Sequence, residues 1–108
     1  MEIKEFQKEV FEWAKEKGWV ERKVDVPEQV ALIHSEASEA LECWRNGEPL
    51  SYSEPDTGKP LGIGSEYADI IIRVCHYAEL LGIDLEYELS RKMEYNKSRA
   101  HRHGGKAG

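Results

Sequence analysis

Two short patterns in this chain have the residue types and spacing for chemistry: Glu36-Ala-Ser-Glu39 and Glu66-Tyr-Ala-Asp69, each an acidic pair three residues apart. On a helix such partners lie about 60° apart and can aim at one point. On a helical wheel Glu36 borders an apolar stripe and Glu39 lies one step further out. Glu42 points nearly opposite and reads as a solvated surface acid. Glu66, Asp69, Arg73 and His76 make a narrow polar line on an otherwise apolar segment. Ionised carboxylates in such surroundings are costly unless they are paired or bind a cation. Either pair alone reads as ordinary surface acid in a Glu-rich chain. Both together, with these wheel positions, favour a metal site: oxygen donors from two facing helices, with no cysteine, suit Mg2+ or Mn2+. Di-iron bundles use Glu-x-x-His motifs, and the residues three before His34 and His76 are Ala31 and Arg73, so that chemistry lacks its ligands.

A polyphosphate site would need cationic and amide donors as well as metal, since the metal cannot cover every oxygen of the substrate. Lys92, Asn96 and Arg99 sit at i, i+4 and i+7 and share a wheel side with Leu85, Leu89 and Met93, so they are expected to face inward. For Lys92 and Arg99 the alternative is snorkelling or surface ion pairing. An inward Asn96 must find partners. Arg73 is a candidate for phosphate, or for an intrahelical pair with Asp69 at i, i+4. His101 and His103 are candidates to contact phosphate, or else tail residues without a role, the reading favoured here. Trp13, Trp19 and Trp44 are expected in the core, with Trp44, on the segment of the first acidic pair, also a candidate to stack on a base.

These side chains need helices to position them. Ile3, Phe6, Val10, Trp13 and Ala14 recur at helical spacing until Gly18 stops the pattern. Pro27 can open a second helix, whose stripe of Val30, Ile33, Ala37, Ala40, Leu41 and Trp44 ends at Asn46-Gly47. Residues 48–64 hold three of the four prolines and predict a structured loop or small hairpin. Ser65 is the expected N-cap of a third helix, apolar around most of its circumference and closed by Gly82; Asp84 caps a fourth through about Arg99. Residues 101–108 form a basic, glycine-rich tail with no regular structure expected. The expected fold is all-α, one four-helix bundle over residues 1–100.

At 108 residues the chain fits one small domain, and a third helix apolar nearly all round asks for a homo-oligomer. Hydrophobic residues at 40% and charged residues at 33% argue against disorder. A net charge of -6 without a concentrated basic patch argues against binding a nucleic-acid polymer. Cys43 and Cys75 have no CxxC or zinc spacing and read as reduced core residues. No apolar run approaches a membrane span and the N-terminus has no signal-like core, so a cytoplasmic protein is expected.

The combination resembles the MazG-type all-α nucleoside triphosphate pyrophosphohydrolases, whose hallmark is an EExxE segment followed, after a loop, by ExxD. Its counterpart here is Ser35-Glu36-Ala37-Ser38-Glu39 and then Glu66-Tyr67-Ala68-Asp69, with Ser35 in place of the first glutamate. The likeness extends from about Phe6 to Lys106 and includes LIHSEASEALECWRNGEP, KPLGIGSEYADIIIRV and KMEYNKSRAHRHGGK. It implies Mg2+ held by Glu36, Glu39, Glu66 and Asp69, substrate contacts from Lys92, Asn96 and Arg99, and assembly as a homodimer or homotetramer. It also implies hydrolysis of an NTP or dNTP to the monophosphate and pyrophosphate by water attack at the α-phosphorus. Ser35 cannot activate water at neutral pH, which leaves Glu36 or Glu39 as the catalytic base. The competing expectation is a non-catalytic helical module that binds a nucleotide or a partner.

Overall fold

The computed structural model describes residues 2–18 and 24–105, with side chains as far as Arg99. Trp19 and Lys106 lie outside the described residues. Four helices account for most of the chain: α1 (Ile3–Glu16), α2 (Val26–Arg45), α3 (Ile63–Leu81) and α4 (Leu85–Gly105). Two short strands, β1 (Tyr52–Ser53) and β2 (Pro60–Leu61), pair antiparallel between α2 and α3, with Tyr52 opposite Leu61 and Ser53 opposite Pro60. Among the described residues no helix is long and apolar enough to cross a membrane.

Local chemistry sets the ends of α2. Asp25 Oδ1 accepts a hydrogen bond from the Glu28 amide at 3.1 Å, and Pro27 occupies the first turn, where a missing amide proton costs nothing. At the other end Asn46 N–H donates to Glu42 O at 2.9 Å, and Gly47 leaves the helix at φ 68. The start of α3 differs from the sequence expectation. Its N-cap is Gly62, three residues before Ser65. Gly62 has φ 101, and a Cβ there would stand 2.7 Å from both Pro49 O and Leu50 O, so the backbone before the hairpin crosses directly over it. The Gly64 amide donates to that same Leu50 O at 2.9 Å. Ser65, instead of capping, donates its hydroxyl to Pro60 O at 3.2 Å and ties the helix to β2.

Helix α3 lies between α2 and α1 and packs on both. The buried set is small, with Val10, Ala14, Ala40, Cys75, Tyr77 and Ala78 among its members. Both cysteines are free. On α2 the buried residues are Gln29, Glu36 and Ala40, while Val30, Leu41 and Trp44 are exposed, Trp44 at 69%. The inward face is thus turned by about 70° from the apolar stripe read off the wheel. Trp44 is not a core residue of this chain, and Trp13 is also exposed.

Helix α4 corrects the closed bundle. It is held at its start, where Gln7 of α1 donates Nε2 to Glu79 Oε1 and Ile83 O, each at 2.8 Å, and accepts from the Leu85 amide at 3.2 Å. The Lys4 amide donates to Glu86 Oε1 at 3.0 Å. Beyond that turn residues 89–98 are all exposed, so Lys92, Asn96 and Met93 face solvent in the single chain and not an interior. The helix also runs past Arg99 to Gly105, through part of the segment expected to be an irregular tail.

Candidate metal centre

The rotation of α2 carries Glu36 from the border of its stripe to the middle of the buried face, where it is 8% exposed. Glu39, one turn on, stays at the solvent edge. The hairpin and the Gly62 crossing deliver the first turn of α3 opposite them. One carboxylate oxygen from each of Glu36, Glu39 and Glu66 then lies within 4.8 Å of the others. Asp69, the fourth acid of the pattern, is outside this tight group and sits more openly, close enough to Glu36 to feel its charge.

The electrostatics are those of crowded acids with one nearby cation. Burial pushes Glu66 up to about 7, reinforced by Glu36, Glu39 and Asp69. Glu39 is raised by its contact with Glu36, and Asp69 by burial and by Glu36. Burial also acts to raise Glu36, but hydrogen bonding to it from Arg73 and from the carboxyl groups of Glu39 and Glu66 outweighs this, and its pKa lies below the ordinary value. Among the described residues, two buried oxygens, Glu36 Oε2 and Glu66 Oε2, have no hydrogen-bond donor. Buried acceptors without donors are uncommon. A hard divalent cation satisfies them with the ligand type it prefers, so the donor set fits Mg2+ or Mn2+.

Arg73 does not form the ion pair within α3 that its spacing from Asp69 allows. Its Nε donates across to Glu36 Oε1 at 3.0 Å, and Nη1 donates to the Tyr77 hydroxyl at 3.0 Å. Sequence reasoning missed Tyr77, because a tyrosine on an apolar helix reads as packing alone. It also missed Lys59 of the hairpin, whose charge acts on Asp69 to lower its pKa against the effect of burial. A lysine in an irregular loop carries no periodicity to announce its target.

Beside the acids lies a cavity of about 510 Å³ between α1, α2 and α3. Val10, Trp13 and Ile72 give it apolar walls, and Glu36, Asp69 and Arg73 also line it. Lys92, Asn96 and Arg99 are not brought to the acids within one chain. Arg99 stacks its guanidinium over the Tyr95 ring at 5.1 Å, on α4 itself. Trp44 is exposed and does not line this cavity.

Comparison of the chain with protein-family models, with curated proteins and with solved structures returned no match.

Proposed function

We propose that the protein is a divalent-cation-dependent pyrophosphohydrolase of the MazG kind, acting on nucleoside triphosphates. The observation that carries this reading is the convergence of Glu36, Glu39 and Glu66 with two buried, donorless oxygens, beside a largely apolar cavity. A cation held by the acids would bind an anionic end and the apolar cavity a planar, weakly polar one, and a nucleotide has both.

Glu36, Glu39 and Glu66 would hold Mg2+, with Asp69 at the edge of the group. A bound Mg2+ there would neutralise carboxylate and phosphate charge and lower the pKa of water. The residues contribute the rest. Glu39, solvent-facing and next to Glu36, is placed to accept the proton of an attacking water, with Glu36 the other candidate. The cavity orients the nucleoside and excludes water from its apolar side. Ser35, exposed on α2, takes no part in proton transfer.

Assembly belongs to the same proposal. The chain exposes 8400 Å², against about 6100 Å² for a compact monomer of its mass. Its radius of gyration is 16.7 Å, against about 13 Å for 108 compact residues. We assign the outward apolar face of α2 and the projecting α4 to contacts in a homodimer or homotetramer, in which Lys92, Asn96 and Arg99 reach substrate. The free cysteines fit a reducing compartment, and we place the enzyme in the cytoplasm.

The test is pyrophosphate release from a panel of NTPs and dNTPs with and without Mg2+. Metal-dependent release of pyrophosphate and the monophosphate supports the reading. Nucleotide binding without turnover would instead identify a binding module, and neither binding nor turnover would overturn both.

A further inference from the structure

We propose that Arg73 couples cation binding to polyphosphate binding: paired with Glu36 it holds cation affinity down, and its transfer to a polyphosphate releases Glu36 to the cation. The inference rests on the function proposed above and specifies how its site is regulated.

Arg73 reaches from α3 to α2 and makes its ion pair with the most buried of the three clustered acids, through Nε to Glu36 Oε1 at 3.0 Å. The contact uses one nitrogen, not the two-pronged fork with which a guanidinium holds a carboxylate most firmly. Nη1 is braced by the Tyr77 hydroxyl, and among the described residues Nη2 has no partner. The Arg73 side chain is 37% exposed and lines the cavity beside Asp69, so a ligand there can reach it.

This arrangement sets up a competition. Arg73 holds Oε1 of Glu36 at 3.0 Å and draws the carboxylate's charge to itself, so a cation that takes Oε2 meets a carboxylate already paired. A divalent charge next to a guanidinium meets like-charge repulsion in a partly desolvated site. A polyphosphate offers the guanidinium paired oxygens and several negative charges, a better partner than one side of one carboxylate. Each ligand then favours the state of Arg73 that the other needs, and linkage makes the effect reciprocal.

The experiment is calorimetric titration of the full chain with Mn2+, alone and with a non-hydrolysable α,β-methylene nucleoside triphosphate present. For the unsubstituted protein the nucleotide should tighten Mn2+ binding at least about tenfold, within the usual range of such couplings. R73M should bind Mn2+ alone about five- to tenfold more tightly than the unsubstituted protein and show a smaller nucleotide effect. Y77F keeps the ring and removes only the hydroxyl brace, and should shift Mn2+ binding in the same direction by a lesser amount. Circular dichroism checks the fold of each, and if R73M does not fold, Y77F decides. Should Arg73 only brace Glu36 for the cation, both variants would bind Mn2+ alone as weakly as the unsubstituted protein or more weakly, and the inference would be overturned. Absence of any Mn2+ binding to the unsubstituted protein, with or without nucleotide, would overturn the proposed function itself and this inference with it.

Discussion

Glu66, a proposed cation ligand, works against the stability of its own fold. Its carboxyl keeps a proton to about pH 7 in the folded chain and only to its ordinary 4.5 when exposed. The folded state therefore binds more protons between these values, and stability falls as pH rises through the window, by up to about 3 kcal/mol. E66Q should remove much of this slope, melting above the unsubstituted protein at pH 8 and close to it at pH 5, while losing Mn2+ binding. Melting curves across that range decide it, and an undiminished slope would place the proton elsewhere. On the proposed function, E36Q and E39Q should each lower kcat/KM about a hundredfold or more, since each removes a charge from the proposed cation site. E42Q should be nearly silent, because Glu42 is exposed and among the described residues pairs with Arg45 alone, at 3.3 Å on its own helix. Steady-state kinetics on the three variants separates these outcomes. The acids were legible in the sequence because carboxylates three apart on an apolar helix violate an expectation. The partner of Arg73 was not, because a helical wheel contains neighbours on one helix and says nothing of Glu36 on another.

At the scale of elements, Gly62 is the position on which delivery of Glu66 depends. A methyl group there would meet two carbonyl oxygens at 2.7 Å, in a left-handed conformation that only glycine adopts readily. Gly62→Ala should cost at least about 2 kcal/mol and weaken Mn2+ binding as the start of α3 shifts. Thermal melting and Mn2+ titration measure the two effects, and an alanine variant as stable and as tight as the unsubstituted protein would show that the crossing can move freely. Helix number and the segment between α2 and α3 could be read from periodicity and proline placement. The true start of α3 could not, since Ser65 has the type of a cap but spends its hydroxyl on Pro60 O, a carbonyl brought near by the hairpin. The inner face of α2 was also misjudged. Its wheel stripe merges two apolar faces, one against α3 and one, with Leu41 and Trp44, exposed.

For the whole molecule, the surplus of about 2300 Å² of surface over a compact monomer, if covered by another copy, corresponds to the larger interfaces of obligate dimers. Sedimentation at micromolar concentration should find a dimer or larger, with a melting temperature that rises with protein concentration. The double variant L41K/W44E should sediment as a monomer and melt lower. A stable monomer of the unsubstituted chain would refute the assembly. Apart from the family likeness, the sequence expectation of an oligomer rested on α3 alone. The structure packs α3 on two helices yet leaves its Tyr67 and Ile71 exposed, and it also leaves open the outer face of α2 and most of α4, a division no count of apolar residues could apportion.

The attachment of α4 through Gln7 has a mechanical consequence. A helix of 21 residues is a rod about 31 Å long, and this one is fastened at one end, where a single glutamine side chain grips both sides of the turn at Ile83 and Leu85. It is a lever with its fulcrum at that turn. Swinging it by about 10° would move its far end by about 5 Å on this length, more than a hydrogen bond tolerates. The register of Lys92, Asn96 and Arg99 against any ligand is therefore decided far from them, by the grip of Gln7 and by whatever surface the rod comes to rest on.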